Sequence, residues 1–157
     1  MIEGLDHIAL AVSDLDAAAT AWQGVIGRPP DRREEAAGAR HAWFQLSNAA
    51  LDIVATQGQG EDADRVRAHI AERGEGVWGL ALAVEDLGRA RALFARRGLA
   101  SDEPADLLSD AAGKLALLDP AATGGLSLAL AERRASPPAA PPAGGDAVAG
   151  IDHVVVA

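Results

Sequence analysis

One stretch of this chain restates another, and that repeat narrows the possible folds sharply. Gly79-Leu80-Ala81-Leu82-Ala83-Val84-Glu85-Asp86-Leu87 lies on His7-Ile8-Ala9-Leu10-Ala11-Val12-Ser13-Asp14-Leu15 at an offset of 72 residues. Each copy alternates at period two and then meets an Asp-Leu pair, which reads as a strand running into a capped helix. Self-similarity at a fixed spacing outranks any local reading. A chain of 157 residues is long enough for one ordinary domain, so the repeat predicts one domain assembled from two like modules.

The local patterns fill in each module. Leu5 to Val12 is a strand with Asp6, Ile8, Leu10 and Val12 on one face and His7, Ala9 and Ala11 on the other. A helix follows over about Leu15 to Val25, ended by Gly27 and Pro29-Pro30. Strands are expected over Arg32–Ala36, His41–Leu46 and Leu51–Thr56, with a turn at Ala37-Gly38-Ala39. Asp62 to Arg73 then reads as a helix, with Val66 and Ile70 four residues apart and His69 facing solvent. In the second copy a helix over Leu87–Arg97 precedes strands at Pro104–Ser109, Lys114–Leu118 and Gly125–Glu132. The modules are thus placed at 4–57 and 77–132, within a domain of residues 1–133.

Residues 134–149 are rich in Pro, Ala and Gly and read as an extended linker. Gly150-Ile151-Asp152-His153 then repeats Gly4-Leu5-Asp6-His7 at an offset of 146. Residues 150–157 are therefore expected to be the first strand of a further, truncated module. Such an apolar strand is expected to pair with a sheet edge, within its own chain or between chains as a homodimer or strand exchange.

Composition removes several function classes. With no Cys there is no disulfide, thiolate nucleophile or iron–sulfur ligand. A formal charge of -9, dispersed Arg residues and a single Lys, Lys114, argue against nucleic acid. No run of 18 apolar residues suggests a membrane span, and the expectation is a cytoplasmic protein. No phosphate loop or activated-serine signature is present.

The opening motif Leu5 to Leu15, its return at Gly79 to Leu87, and the segments Leu51-Asp52-Ile53-Val54 and Leu118-Asp119-Pro120 to Leu126-Ser127-Leu128 resemble the vicinal oxygen chelate superfamily. That group holds glyoxalase I, bleomycin-resistance proteins, methylmalonyl-CoA epimerase and extradiol dioxygenases. The resemblance implies a glyoxalase-like α+β fold, with paired βαβββ modules forming a curved mixed sheet around a cleft and helices outside. It also implies four metal-ligand positions, one in each of four strands, which here are His7, Asp52, Gly79 and Ser127. Gly79 has no side chain to offer and Ser127 only a neutral hydroxyl, so the metal site is expected to be degenerate, with a weakly bound divalent ion at His7 and Asp52 at most. His41 is a further nitrogen donor if its strand faces the same way.

Trp43, Gln45, His7, Asp52 and Ser127 are the expected ligand-binding residues: Trp supplies a stacking face, and Gln a donor and an acceptor. Three functions remain open. The chain is a bleomycin resistance-like small-molecule-binding domain without a complete metal site. Alternatively it is a divergent lyase, isomerase or dioxygenase in which His7 and Asp52 hold a metal or move a proton. Or it is the non-catalytic half of a longer tandem enzyme.

Overall fold

The computed structural model of the protein describes residues 1–106, 113–134 and 146–155. The elements run β1 (Ile2–Ala11), α1 (Leu15–Ile26), β2 (Arg32–Ala36), β3 (Ala39–Gln45), β4 (Ala50–Thr56), α2 (Glu61–Arg73), β5 (Gly76–Val84), α3 (Leu87–Arg96), β6 (Ala105–Asp106), β7 (Gly113–Leu117) and β8 (Leu128–Arg133). This is the α+β, twice-βαβββ grammar that the repeat predicts. No helix among the described residues is long and apolar enough to cross a membrane.

The repeat is visible in the helix starts. Asp14 caps α1 by accepting from the backbone N–H groups of Asp16 and Ala17 at 3.0 Å. Asp86, at the equivalent place, accepts from Arg89 N–H at 2.7 Å ahead of α3. In each case the next residue, Leu15 or Leu87, is buried at 3% exposure. One dipeptide thus stops a strand, satisfies the first orphan donors of a helix and turns its first apolar side chain into the core.

The chain divides into two compact units. One comprises Ile8–Trp78 with Pro138–Ala157 and the other Met1–His7 with Gly79–Pro137, so β1 and β5 are each shared between units. In the first unit the strand order is β2-β3-β4-β1. β2 pairs antiparallel with β3, and β3 antiparallel with β4, with His41 opposite Val54 and Trp43 opposite Asp52. Alternation sends Ala39, His41, Trp43, Asp52 and Val54 to one face and Ala42, Phe44, Leu51 and Ile53 to the other. α2 lies on the former, where Val66 packs with Ala11, Ala39 and Val54, joined by Ile70 and Trp78. α1 packs against β3 and β4 over the other face, where Phe44 and Ile53 are completely buried.

In the second unit the order is β1-β5-β8-β7-β6. β5 and β8 run parallel, with Leu80 opposite Leu128, and β7 is antiparallel to β8. α3 covers a cluster of Val84, Leu87, Ala90, Ala116, Leu118 and Leu130. The opposite face is small: Ala81, Ala129 and Ala131, packed with Leu115 and Leu117.

Several boundaries differ from expectation: β1 and β3 begin earlier, at Ile2 and at Ala39 within the expected turn. β8 starts at Leu128 rather than Gly125, because Gly124 and Gly125 adopt left-handed φ of 71° and 86° and form a turn. β6 is described only for Ala105–Asp106, and residues 107–109 of that expected strand lie outside the described residues, as do 135–145 of the expected linker. Residues 151–155 carry no strand pairing. Their neighbours instead bind one strand–strand turn and the end of α1, so the expected addition to a sheet edge is not found among the described residues.

Replacing Asp14 by Ala is expected to cost about 1 kcal/mol, as is replacing Asp86. The measurement is a lowered urea midpoint at unchanged m value.

Candidate functional site

Two buried polar clusters stand out, one in each unit. In the second unit, Asp6 sits at the centre of the first. It accepts from Arg133 Nε at 2.6 Å and from Arg133 Nη2 at 2.8 Å, a bidentate pair spanning nearly the whole sequence. His7 Nδ1 contacts the Asp6 carboxylate at 2.7 Å. Burial pushes the Asp6 carboxyl up, but the hydrogen bonds and charges of His7 and Arg133 outweigh it and hold its pKa down at about 2. His7, the first of the four ligand positions, is therefore engaged at Nδ1 by its own neighbour.

Two other ligand positions also lie in this unit. Gly79 and Ser127 meet: Leu80 N–H donates to Ser127 O at 3.0 Å. A Cβ built on Gly79 would lie 2.9 Å from that carbonyl oxygen and 3.1 Å from Ser127 Oγ. The glycine is thus demanded by the close approach of β5 to the chain entering β8. A ligating side chain cannot be restored at 79 without moving backbone.

The second cluster, in the first unit, is the pair His41–Asp52. His41 Nδ1 lies 3.0 Å from each oxygen of Asp52. Both residues are only 4% exposed. His41 Nε2 is buried and has no hydrogen-bond partner among the described residues. Burial pushes the imidazole pKa down, but the hydrogen bond and charge of Asp52, with the charges of Asp62 and Glu34, outweigh burial and raise it above 6.5. Asp62, in the first turn of α2, is itself raised, by burial first and by Glu61 and Asp52, against Arg65 and His41. Trp43 is 3% exposed. Its ring lies 6.4 Å from the His41 ring, nearly parallel to it at 17°, and the Arg32 guanidinium sits 4.6 Å above it.

Of the expected binding residues, Trp43 and Asp52 are neighbours across the β3–β4 ladder. Gln45 turns aside: its side-chain Nε2 donates to Leu46 O at 3.2 Å, and its backbone is held by Asp31 and Arg28. His41 enters as the partner of Asp52. The sequence signal for it was weak, an imidazole at the right parity of a strand, and the pairing register decided the matter. His69 is half-exposed on α2.

The donor set suits a metal poorly. Among the described residues no group of three or more His, Cys, Asp or Glu side chains is placed to hold an ion. Both oxygens of Asp52 face His41, and Gly79 and Ser127 contribute at most one neutral hydroxyl. These four positions do not fit a four-ligand divalent centre.

Residues 6–108 match the profile of the Glyoxalase/Bleomycin resistance protein/Dioxygenase superfamily. The chain belongs to that family. It is a glyoxalase-like, small-molecule-binding domain. Among solved structures, methylmalonyl-CoA epimerase from Mycobacterium tuberculosis superposes with a TM-score of 0.75 at 24% identity, covering 85% of this chain and 90% of that one. A single-residue variant of methylmalonyl-CoA epimerase from Streptomyces coelicolor, in complex with 2-nitronate-propionyl-CoA, gives 0.74 at 23%, covering 86% and 100%. A hypothetical protein from Bacillus halodurans gives 0.74 at 19%, covering 85% and 96%. At these identities the likeness is one of fold. No curated protein matches the sequence.

Both clusters should leave a mark on stability. The depressed Asp6 pKa contributes stability above pH 3.8, about 2 kcal/mol, that is lost as pH falls towards 2. The raised His41 pKa contributes stability that is complete below pH 6.5 and lost as pH rises through its folded value. Urea titrations from pH 2 to 9 are expected to show both declines, and His41→Gln to flatten the alkaline one. Gly79→His, which restores a ligand type, is expected to destabilise by about 1–3 kcal/mol through overpacking, with no gain in metal affinity by calorimetry.

Proposed function

We propose that this glyoxalase-like domain binds a small organic molecule through the His41–Asp52 pair and Trp43, without a tightly held metal. The observation that carries the reading is the buried, unpartnered His41 Nε2. A buried polar atom without a partner costs about 1–3 kcal/mol, which a ligand or water atom would offset. Asp52 orients the ring so that Nε2 points away from it, and Trp43 supplies an aromatic wall beside it. In the other unit, His7 and Ser127 are proposed separately as polar ligand contacts. Any divalent ion at His7 or Asp52 would be weakly held, because each already serves another side chain.

α2 covers this face, so entry of a ligand requires it to shift. Gly58 and Gly60 precede α2 and Gly74 and Gly76 follow it, placing permissive backbone at both ends. A cytoplasmic location suits a chain without Cys, and an acidic surface leaves nucleic acid an unsuitable partner.

A second reading is favoured by the same geometry. A carboxylate on Nδ1 with Nε2 left over is the arrangement of an imidazole that accepts or delivers a proton. In this reading the domain is a proton-moving isomerase or lyase. The epimerases that share its fold make methylmalonyl-CoA the first compound to try.

Trp43 emission is expected to change on adding a bound ligand from a panel of hydrophobic drugs and acyl-CoA thioesters, and Trp43→Phe to lose that change. Unchanged emission across the panel, with calorimetry also silent, would defeat the binding reading. Deuterium uptake at C2 of methylmalonyl-CoA in heavy water, lost in His41→Gln, would establish proton transfer. Metal analysis after purification without added ions is expected to show well under one equivalent.

A further inference from the structure

A set of side-chain and backbone groups at one end of the first unit holds a piece of extended peptide, and none of it belongs to the cluster around His41. Val148 N–H donates to Ile26 O at the end of α1, at 2.9 Å. Ser47 N–H donates to Ala149 O at 2.8 Å. Asn48 then reads both backbone groups of Ile151: its Oδ1 accepts from Ile151 N–H at 3.0 Å and its Nδ2 donates to Ile151 O at 2.6 Å. All four hydrogen bonds go to the backbone of the segment, between Val148 and Ile151.

The fit is also steric. A Cβ on Gly150 would lie 2.9 Å from both Asn48 Oδ1 and Ser47 Oγ. Those are side-chain tips, but Asn48 cannot swing away without giving up Ile151. Ala147 sits against Gly27, where a Cβ would come within 3.1 Å of the Ala147 Cα, and Gly27 has a φ of 87° that suits glycine alone. Meanwhile Val148 and Ala149 are exposed. The segment thus needs glycine at 150, and its exposed positions 148 and 149 admit any residue.

We propose that Ile26-Gly27 and Ser47-Asn48 form a peptide-docking site that recognises the backbone of an extended, glycine-containing segment. Its occupant is the chain's own Ala147–Ile151. The four contacts are those of a recogniser of main chain, as in sheet-edge peptide binding, but supplied by a turn, a helix end and one carboxamide. The segment it holds carries the second copy of the Gly-hydrophobe-Asp-His motif. In the first copy Asp6 and His7 are buried, whereas Asp152 and His153 are exposed at the clip. A tethered occupant competes at an effective concentration of ~mM, so a peptide added from outside gains the site only when the resident segment is unseated.

The test uses the full chain. A fluorescein-labelled peptide of residues 146–155 is titrated, by anisotropy, into the wild type, Gly150→Val, and Gly150→Val with Asn48→Ala. Gly150→Val is expected to bind it roughly tenfold or more tightly than the wild type, and the added Asn48→Ala to abolish the gain. Hydrogen exchange of the wild type is expected to show slow Val148 and Ile151 amides at every protein concentration, with Asn48→Ala accelerating Ile151 roughly tenfold. If Gly150→Val does not fold, that exchange comparison alone decides. A folded Gly150→Val chain that ignores the peptide, or an Ile151 amide unaffected by Asn48→Ala, would overturn the proposal. So would protection that appears only together with a doubled solution mass, which would make the occupant a second copy's segment.

Discussion

Two carboxylates, Asp6 and Asp52, are buried within the sheets, at 9% and 4% exposure. Removing a carboxylate from water costs several kcal/mol unless charge and hydrogen bonds replace the lost solvation. Much of the remaining architecture answers that demand. Asp6 draws Arg133 across from the end of the last strand and so ties the opening strand to the closing one. Asp52 draws His41 across the β3–β4 ladder. Across the paired β3–β4 ladder this polar contact dictates register more narrowly than apolar packing would, because a one-residue slip would leave a charge unpaired in the core.

The same demand bears on metal binding. A ligand set needs carboxylates and imidazoles with lone pairs to spare. In this chain those lone pairs serve protein partners: Asp6 engages His7 and Arg133, and His41 engages Asp52. At Gly79 the backbone of Ser127 occupies the space a ligand side chain would need. The obstacle there is one of packing as well as of residue type, and a single substitution does not remove it.

α2 decides how the first unit presents its chemistry. Its apolar contacts are few, Ala63 and Val66 buried and Ile70 partly so, while its first turn carries Glu61, Asp62 and Asp64. Asp62 adds negative charge near the His41–Asp52 pair, which favours the charged imidazole beneath the helix. A face that alternation alone would leave open is thereby closed by a helix with a thin hydrophobic seam.

The module grammar, the two Asp-Leu helix starts and the family were legible in the residues alone, because period-two alternation, capping residues and repetition are local properties readable one segment at a time. The weak ligand set was legible too, since Gly79 and Ser127 lack strong donors whatever surrounds them. Gln45 and His41 show where local reading ends. Both lie on the parity of β3 shared with Trp43, yet one turns to Leu46 and the other becomes the partner of Asp52. The Gly-Ile-Asp-His repeat at 150–153 likewise spells a strand, but residues 151–155 carry no strand pairing because their neighbours are held by Ser47 and Asn48. Which polar group meets which, whether α2 covers a face, and why position 79 tolerates no side chain all emerged with the folded chain. Hydrogen bonding and steric exclusion act between residues far apart in sequence, and no local pattern encodes the distance between them.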